Sequence, residues 1–401
     1  MRETSRPIVL LCCMAALPVL GGTSLGAIYP ILRQVLHLSG PSMSVVVAIS
    51  TLSLIVTSPF VGALADRVGP VRVILPLLLL YALGAFLSGC SAFAGSGGYA
   101  CLVAGRMLQG VGGLGTGPLA IAFVKRLLGE RAAARMAWLE ASASGGAVVG
   151  PVIGGLIAGW KWHLIFWLDG GAMLVLMLLW GLSLRGITPA AGGPGAGSPS
   201  RGMPALALTR RILGAYLGGF GLMFALVGMQ TFLVDYLETA YGVPIPAGGA
   251  VVAAHALLMA STAALSGRYL RPGRSGVMIV AGLVVFASAL ILLGLQLNLY
   301  LGVASVIAGG IGCGLILPPG NVLVLHEASA GTESRAMSLA SSLRSIGVLL
   351  GSASAGWLTT LGYPTLFVAS GAAVAAIAGV AIGLFAVRPA RVRGVEAGRR
   401  P

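Results

Sequence analysis

The chain has 401 residues, of which 57% are hydrophobic and only 9% charged, and its mean hydropathy is +0.98. About a quarter of a soluble globular domain is charged, so these values exclude a soluble enzyme or binding module and place the chain in a lipid bilayer. The formal charge of +15 would suit nucleic acid, but the basic residues crowd into alternate connections between apolar runs, which makes the charge topological and predicts no nucleic-acid partner.

A span needs roughly 20 predominantly apolar residues to cross about 30 Å of hydrocarbon. Twelve runs qualify, at 8–31, 43–63, 72–93, 98–123, 136–159, 163–184, 212–236, 246–266, 276–296, 299–325, 336–360 and 364–387. With the N-terminus inside, 21 of the 25 Lys and Arg residues fall in cytoplasmic segments. Arg33 and Lys161 fall in outer loops, and Arg106 and Arg344 lie within spans. This bias predicts a multi-pass protein of the cell inner (cytoplasmic) membrane with both termini in the cytoplasm. The first run is long enough to remain as a span, so no cleaved signal is expected. Cys12, Cys13, Cys90, Cys101 and Cys313 all lie in apolar runs at spacings that match neither a zinc site nor a disulfide framework.

Taken in order, the first polar stretch is Gly62-Ala63-Leu64-Ala65-Asp66-Arg67-Val68-Gly69-Pro70-Val71-Arg72 between spans two and three. Three charges in a neighbourhood with almost none predict a short turn that clamps two spans by polar contacts. Span four carries Gly105-Arg106-Met107-Leu108-Gln109-Gly110. Counted from an outer start near residue 98, Arg106 lies about 12 Å down the helix at 1.5 Å per residue. A guanidinium at that depth is costly unless it faces water or an acceptor, which makes it a functional candidate. Span five reads Gly145-Gly146-Ala147-Val148-Val149-Gly150-Pro151-Val152-Ile153-Gly154-Gly155. Its proline bends the helix, and its glycines make a flat face on which another helix can lie. Span six brings Asp169, span seven brings Asp235 and Glu238 at its outer end, and span eleven brings Arg344 about 12 Å in. His255 in span eight reads as a packing donor, and Gln230, Asn321 and Tyr29 as possible substrate hydrogen-bonders.

Residues 185–210 are rich in glycine and proline and predict a flexible linker dividing six spans from six. The halves repeat in parallel. Gly110, Gly112 and Pro118 match Gly310, Gly312 and Pro318, while Gly146, Gly150 and Gly155 match Gly347, Gly351 and Gly356. Arg67 and Gly69 match Arg271 and Gly273, but the second copy has Leu270 where the first has its acid. An even number of spans in each half relates the two by an axis along the membrane normal, with a substrate path between them.

These motifs resemble the major facilitator superfamily over nearly the whole chain. The 62–72 stretch resembles its signature loop, with Gly62, Leu64, Asp66, Arg67 and Gly69 in place, Pro70 where a basic residue is usual, and Arg72 as a substitute. The resemblance implies a gating contact between this loop and the cytoplasmic end of span eleven. Arg106, Gln109 and the following glycine resemble the superfamily's span-four motif. Gly146, Gly150, Pro151, Gly154 and Gly155 resemble the signature of its antiporters, especially the drug:proton group, with Ala137 in place of an earlier glycine. Span one lacks the acid that many drug antiporters carry there. A coupled proton would need a carboxylate whose environment changes through the cycle, and Asp169 or Asp235, with Arg106 beside it, are the candidates. Glu130, Arg131 and Glu140 are expected in a cytoplasmic charge network with Asp66 and Arg67.

The expected fold is an all-α membrane protein of twelve helices in two six-helix bundles, residues 1–184 and 211–388, with the 185–210 linker and a basic tail at 389–401. The expected activity is secondary active export of a small hydrophobic or amphiphilic molecule in exchange for protons, by alternating access. A dedicated exporter of one metabolite, such as a sugar, an amino acid or a metal-chelating natural product, is the alternative, and a non-transporting membrane sensor is less favoured. No nucleotide loop, metal cluster or catalytic triad is present in the sequence, so neither an enzyme nor a cofactor is expected. The partners expected are a small-molecule substrate, protons and the lipid bilayer, with the chain working as a monomer.

Overall fold

A computed structural model describes residues 5–116, 132–183, 208–267, 272–328 and 332–386, without the side chains of residues 5–8, 66, 70, 71, 132–137, 140, 183, 272 and 334, among them Asp66 and Glu140. Glu130, Arg131, Arg271, most of the 185–210 linker and the 389–401 tail lie outside the described residues. The described residues form helices and no strand: α1 (Ser5–Val35), α2 (Gly40–Val68), α3 (Pro70–Cys90), α4 (Gly98–Gly112), α5 (Ala132–Lys161), α6 (Leu164–Ser183), α7 (Arg210–Tyr241), α8 (Ile245–Ser266), α9 (Pro272–Gly294), α10 (Leu299–Gly314), α11 (Leu317–Glu327), α12 (Glu333–Leu358) and α13 (Tyr363–Ala386). Spans one to nine correspond to α1–α9. Span ten is α10 and α11 together, interrupted because Pro318 and Pro319 have no N–H to continue the ladder. Spans eleven and twelve are α12 and α13.

The 62–72 stretch departs from the expected turn. α2 runs through Asp66 and Arg67 to Val68, α3 begins at Pro70, and the whole reversal falls on Gly69 at φ +88°. Leu64, Ala65 and Arg67 are good helix formers, so nothing stops α2 earlier. The positive φ requires glycine, and Pro70 has its fixed φ pre-set for the first helical position. Pro70, which departs from the superfamily pattern, therefore starts α3.

The internal repeat extends into the packing. A Cβ on Gly110 would strike the Ser50 carbonyl of span two, and one on Gly310 would strike the His255 carbonyl of span eight. Gly112 abuts Tyr81 and Leu77 of span three, and Gly312 abuts Gly282 and Phe286 of span nine. Gly150 lies on Leu20 and Thr23 of span one, and Gly351 on Phe224 of span seven. Lipid gives no hydrophobic drive for helix association, so close backbone approach at small residues supplies the van der Waals contact.

The two bundles meet at three crossings. Gly26 of α1 lies against the Gln230 carbonyl of α7, Gly40 of α2 against Gly356 of α12 and Thr359 just beyond it, and a Cβ on Gly155 of α5 would lie 3.0 Å from Pro246 of α8. All three lie toward the end of the bundle that carries the α1–α2 and α7–α8 connections. Toward the opposite end, Gly62 and Gly145 have nothing within 4 Å of a Cβ, and Leu64 and Arg67 are exposed. The halves thus meet at one end, with a cavity of about 380 Å³ between them.

Candidate functional site

Thr23 and Gly26 of α1, Ser50 and Thr51 of α2, Arg106 of α4, and Gln230 and Thr231 of α7 bound the cavity. An adjoining lobe of about 300 Å³ adds Tyr81 and Gln109 and shares Ser50, Thr51 and Arg106. The lining is apolar and hydroxylic around one guanidinium, the composition of a pocket that holds a molecule by shape and orients it by a few polar contacts.

Arg106 is 8% exposed. Its Nη1 donates to Gln109 Oε1 at 2.9 Å and its Nη2 to Ser50 Oγ at 3.3 Å, while Nε has no partner. The i, i+3 spacing puts Arg106 and Gln109 on one helix face. Gln109 Nε2 passes the network on, donating to Asp169 Oδ2 at 3.2 Å, and the Tyr81 hydroxyl donates to the same oxygen at 2.9 Å. Asp169 is 4% exposed, and its Oδ1 has no hydrogen-bond partner. α1 closes the fourth side, with the ideal Cβ position of Gly21 only 2.8 Å from Asp169 Oδ2. Arg106, Gln109 and Asp169, read separately from the sequence, therefore form one buried cluster, with acid and base joined through an amide.

Asp235 lies elsewhere. Fully buried, it accepts from Arg33 Nε at 3.0 Å on Oδ1 and from the Tyr363 hydroxyl on Oδ2. Arg33 also reaches Thr239 at 3.4 Å. These contacts tie α1 of one half to α7 and α13 of the other. Asp169 stands in the wall of the first half, whereas Asp235 lies where the two halves meet. Arg344 is in the second half, donating to Asn321 Oδ1 at 3.0 Å and Ser341 Oγ at 3.1 Å. Of the weaker candidates, Gln230 lines the cavity, Asn321 holds Arg344, and Tyr29 is buried edge-on against Phe232. His255 places Nδ1 2.7 Å from the Val306 carbonyl in the second half.

The sequence profile described as the Major Facilitator Superfamily matches residues 11–330. The chain belongs to this superfamily. It is a multi-pass membrane transporter with exporters among its relatives. The bacillibactin exporter of Bacillus subtilis (strain 168) is 25% identical over 353 residues, covering 86% of this chain and 87% of that protein. Multidrug resistance protein 2 of the same organism is 31% identical over 156 residues, which is 38% of each chain. Among solved structures, a bacterial homolog of the human lysosomal transporter Spinster, inward-facing and occupied, superposes with a TM-score of 0.75 at 15% identity over 96% of both chains.

The superfamily's two other signatures can now be placed. Arg67, in the last turn of α2, is exposed with no hydrogen bond or ion pair among the described residues. Arg72, in the first turn of α3, is likewise exposed. The Asp66 side chain lies outside the described residues. The span-five signature divides between two neighbours. Gly146, Gly150 and Gly154 lie on Ala16, Leu20 and Ser24 of α1, within their own half. The Pro151 carbonyl and Gly155 face Gly249 and Pro246 of α8, in the other half. The contact between halves is therefore made by Pro151 and Gly155, on the opposite face of α5 from Gly150.

Tyr81, Ser50, Arg33 and Tyr363 were not singled out from the sequence. Tyr81 is the one tyrosine of span three, a signal that could have drawn notice. Arg33 read only as a loop charge, and Ser50 and Tyr363 offered nothing that spacing could detect.

Proposed function

We propose that the chain exports a small hydrophobic or amphiphilic molecule from the cytoplasm in exchange for protons, by rocking its two six-helix halves about the central cavity. The observation that carries this reading is the cavity with its buried Arg106–Gln109–Asp169–Tyr81 cluster. A hydroxylic and apolar lining suits an amphiphile, and a buried carboxyl one residue behind that lining suits a proton. The distribution of basic connections supports termini in the cytoplasm of an inner-membrane protein, and in this reading the end where the halves meet is the outer one and the captured state is inward-facing. In this reading residues 1–184 and 211–388 act as the moving bodies of a monomer, joined by the 185–210 linker, and Arg344 lines the second half's share of the path.

One observation favours a dedicated substrate of the metal-chelating kind. The exporter named for bacillibactin aligns over 86% of the chain, whereas the match to multidrug resistance protein 2 covers 38%. Proteoliposomes loaded with ethidium or with bacillibactin distinguish the two readings. Proton movement driven by ethidium favours the broad exporter and movement driven only by bacillibactin the dedicated one. Absence of proton movement with both rejects exchange.

The 62–72 segment is proposed as a cytoplasmic latch that engages in the opposite, outward-facing state. Asp66→Asn is expected to cut transport about tenfold or more while leaving the detergent-solubilised melting temperature within a degree or two, since a contact made only in one state of the cycle weighs on cycling rather than on folding. Wild-type transport by Asp66→Asn would reject the latch.

A further inference from the structure

We propose that Asp169 is the residue that takes up and releases the coupled proton, reached from the cavity through Tyr81 and Gln109, and that α1 senses its charge at Gly21; this rests on the exchange reading above. Both bonds that hold the carboxyl end on Oδ2, from Tyr81 and Gln109, while Oδ1 is buried and bonded to nothing. An ionised carboxylate accepts at both oxygens, and a protonated one keeps acceptor capacity on the oxygen without the hydrogen. A proton can therefore bind at Oδ1 without breaking either bond. The step balances simply: water admitted past Tyr81 and Gln109 gives an excess proton to Oδ1 and remains as water, and the reverse transfer returns the proton to water on the other side of the membrane.

The groups facing Asp169 from its neighbours are few. α3 presents the Tyr81 hydroxyl, α4 presents Gln109 with Arg106 behind it, and α1 presents Gly21 and its backbone. From α5 no titratable group among the described side chains reaches it. Arg106 is therefore the one charged group of the cluster besides Asp169, and it lines the cavity while Asp169 does not. With Asp169 ionised the cluster is neutral; with Asp169 protonated the cavity faces an uncompensated guanidinium. A single proton thus changes by one unit the charge that a substrate meets, without any side chain having to move.

Gly21 supplies the mechanical link. The carboxyl sits 2.8 Å from the place a Cβ would take there, so α1 rests on Asp169. Five residues further along, Gly26 of the same helix rests on the Gln230 carbonyl of α7, across the junction of the halves. A change in charge or hydration at Asp169 is applied directly to the helix that closes against the other bundle.

The close approach at Gly21 supplies a stringent test, because a carboxylate grown from α1 would occupy nearly the same space. Proteoliposomes holding wild-type protein, Asp169→Asn, or Gly21→Asp combined with Asp169→Ala are loaded with ethidium or bacillibactin and read for proton movement and for probe-for-probe exchange. Asp169→Asn is expected to lose proton movement at least tenfold while probe-for-probe exchange persists at an affinity altered by the uncompensated Arg106, and the relocated acid is expected to restore proton movement to at least a third of wild type. Wild-type protein that moves no protons with either probe overturns the exchange reading and this inference with it. Wild-type protein that moves protons while Asp169→Asn moves as many overturns the inference alone. Loss of both activities in Asp169→Asn, unrelieved by the relocated acid, assigns Asp169 to structure and overturns it as well.

Discussion

Gly249→Leu is expected to abolish transport while leaving each bundle folded. A Cβ built on Gly249 of α8 would overlap the Pro151 carbonyl and lie 3.5 Å from the Gly155 Cα. Neither partner is the far end of a flexible side chain, so the clash cannot be relieved by a rotamer change. Overpacking of this kind costs about 1–3 kcal/mol, and here the cost falls only on the state in which α5 and α8 touch. A penalty of that size on one of two states shifts their balance roughly 5- to 150-fold. Spin labels placed across the end where the halves meet should therefore report a widened population, with ethidium efflux reduced to match. Wild-type efflux from Gly249→Leu would show that α5 and α8 need not meet during the cycle. Gly150→Leu, on the other face of α5, makes a useful contrast. Its clash is with Leu20 and Thr23 in the same half, so its loss of transport should come with a lowered melting temperature.

Why the fold was legible and the site only partly so follows from what each depends on. The bilayer imposes a length and an apolar composition on every span, so α3, α6, α8, α9, α12 and α13 could be placed from hydropathy alone, to within a few residues. The packing glycines could be paired between halves because a repeat makes the same backbone demand twice, as at Gly110 and Gly310. The charges of the 62–72 stretch suggest a short turn between spans ending at 63 and starting at 72, whereas the helix continues through them and only Gly69 turns. Asp66 and Arg67 are compatible with helix, and only Gly69 is not. At the site, Arg106 could be found because burial of a guanidinium is costly on its own terms. Its connection to Asp169 could not, because the two lie 63 positions apart on two helices and become neighbours through Gln109 only where Tyr81, Ser50 and the notch at Gly21 bring the helices together, and none of these three carries a spacing rule. The same holds for Arg33, whose place near a span end gave it the bland reading of a loop cation.

Arg33→Ala is expected to open the outer end. Asp235 is fully buried and held by two donors, so removing Arg33 leaves its carboxylate with Tyr363 alone and with no compensating charge. The Arg33 side chain is 39% exposed, which screens the pair and places the loss with a charged hydrogen bond, about 1.5–3 kcal/mol, rather than with a fully buried ion pair. Because Arg33 belongs to α1 and Asp235 to α7, that energy is present only while the halves meet at this end. Its removal should move the balance toward the outward-open state by roughly ten- to a hundredfold. A thiol introduced as Thr239→Cys in a cysteine-free background reports this as faster labelling by a membrane-impermeant maleimide added from outside. Tyr363→Phe, which removes one donor and keeps the ion pair, should give a smaller increase in the same assay. Equal labelling with and without Arg33 would mean that the glycine crossings alone hold the outer end shut. A graded response would mean that the crossings set how closely the halves can approach, while the Arg33–Asp235–Tyr363 contact sets how often they do.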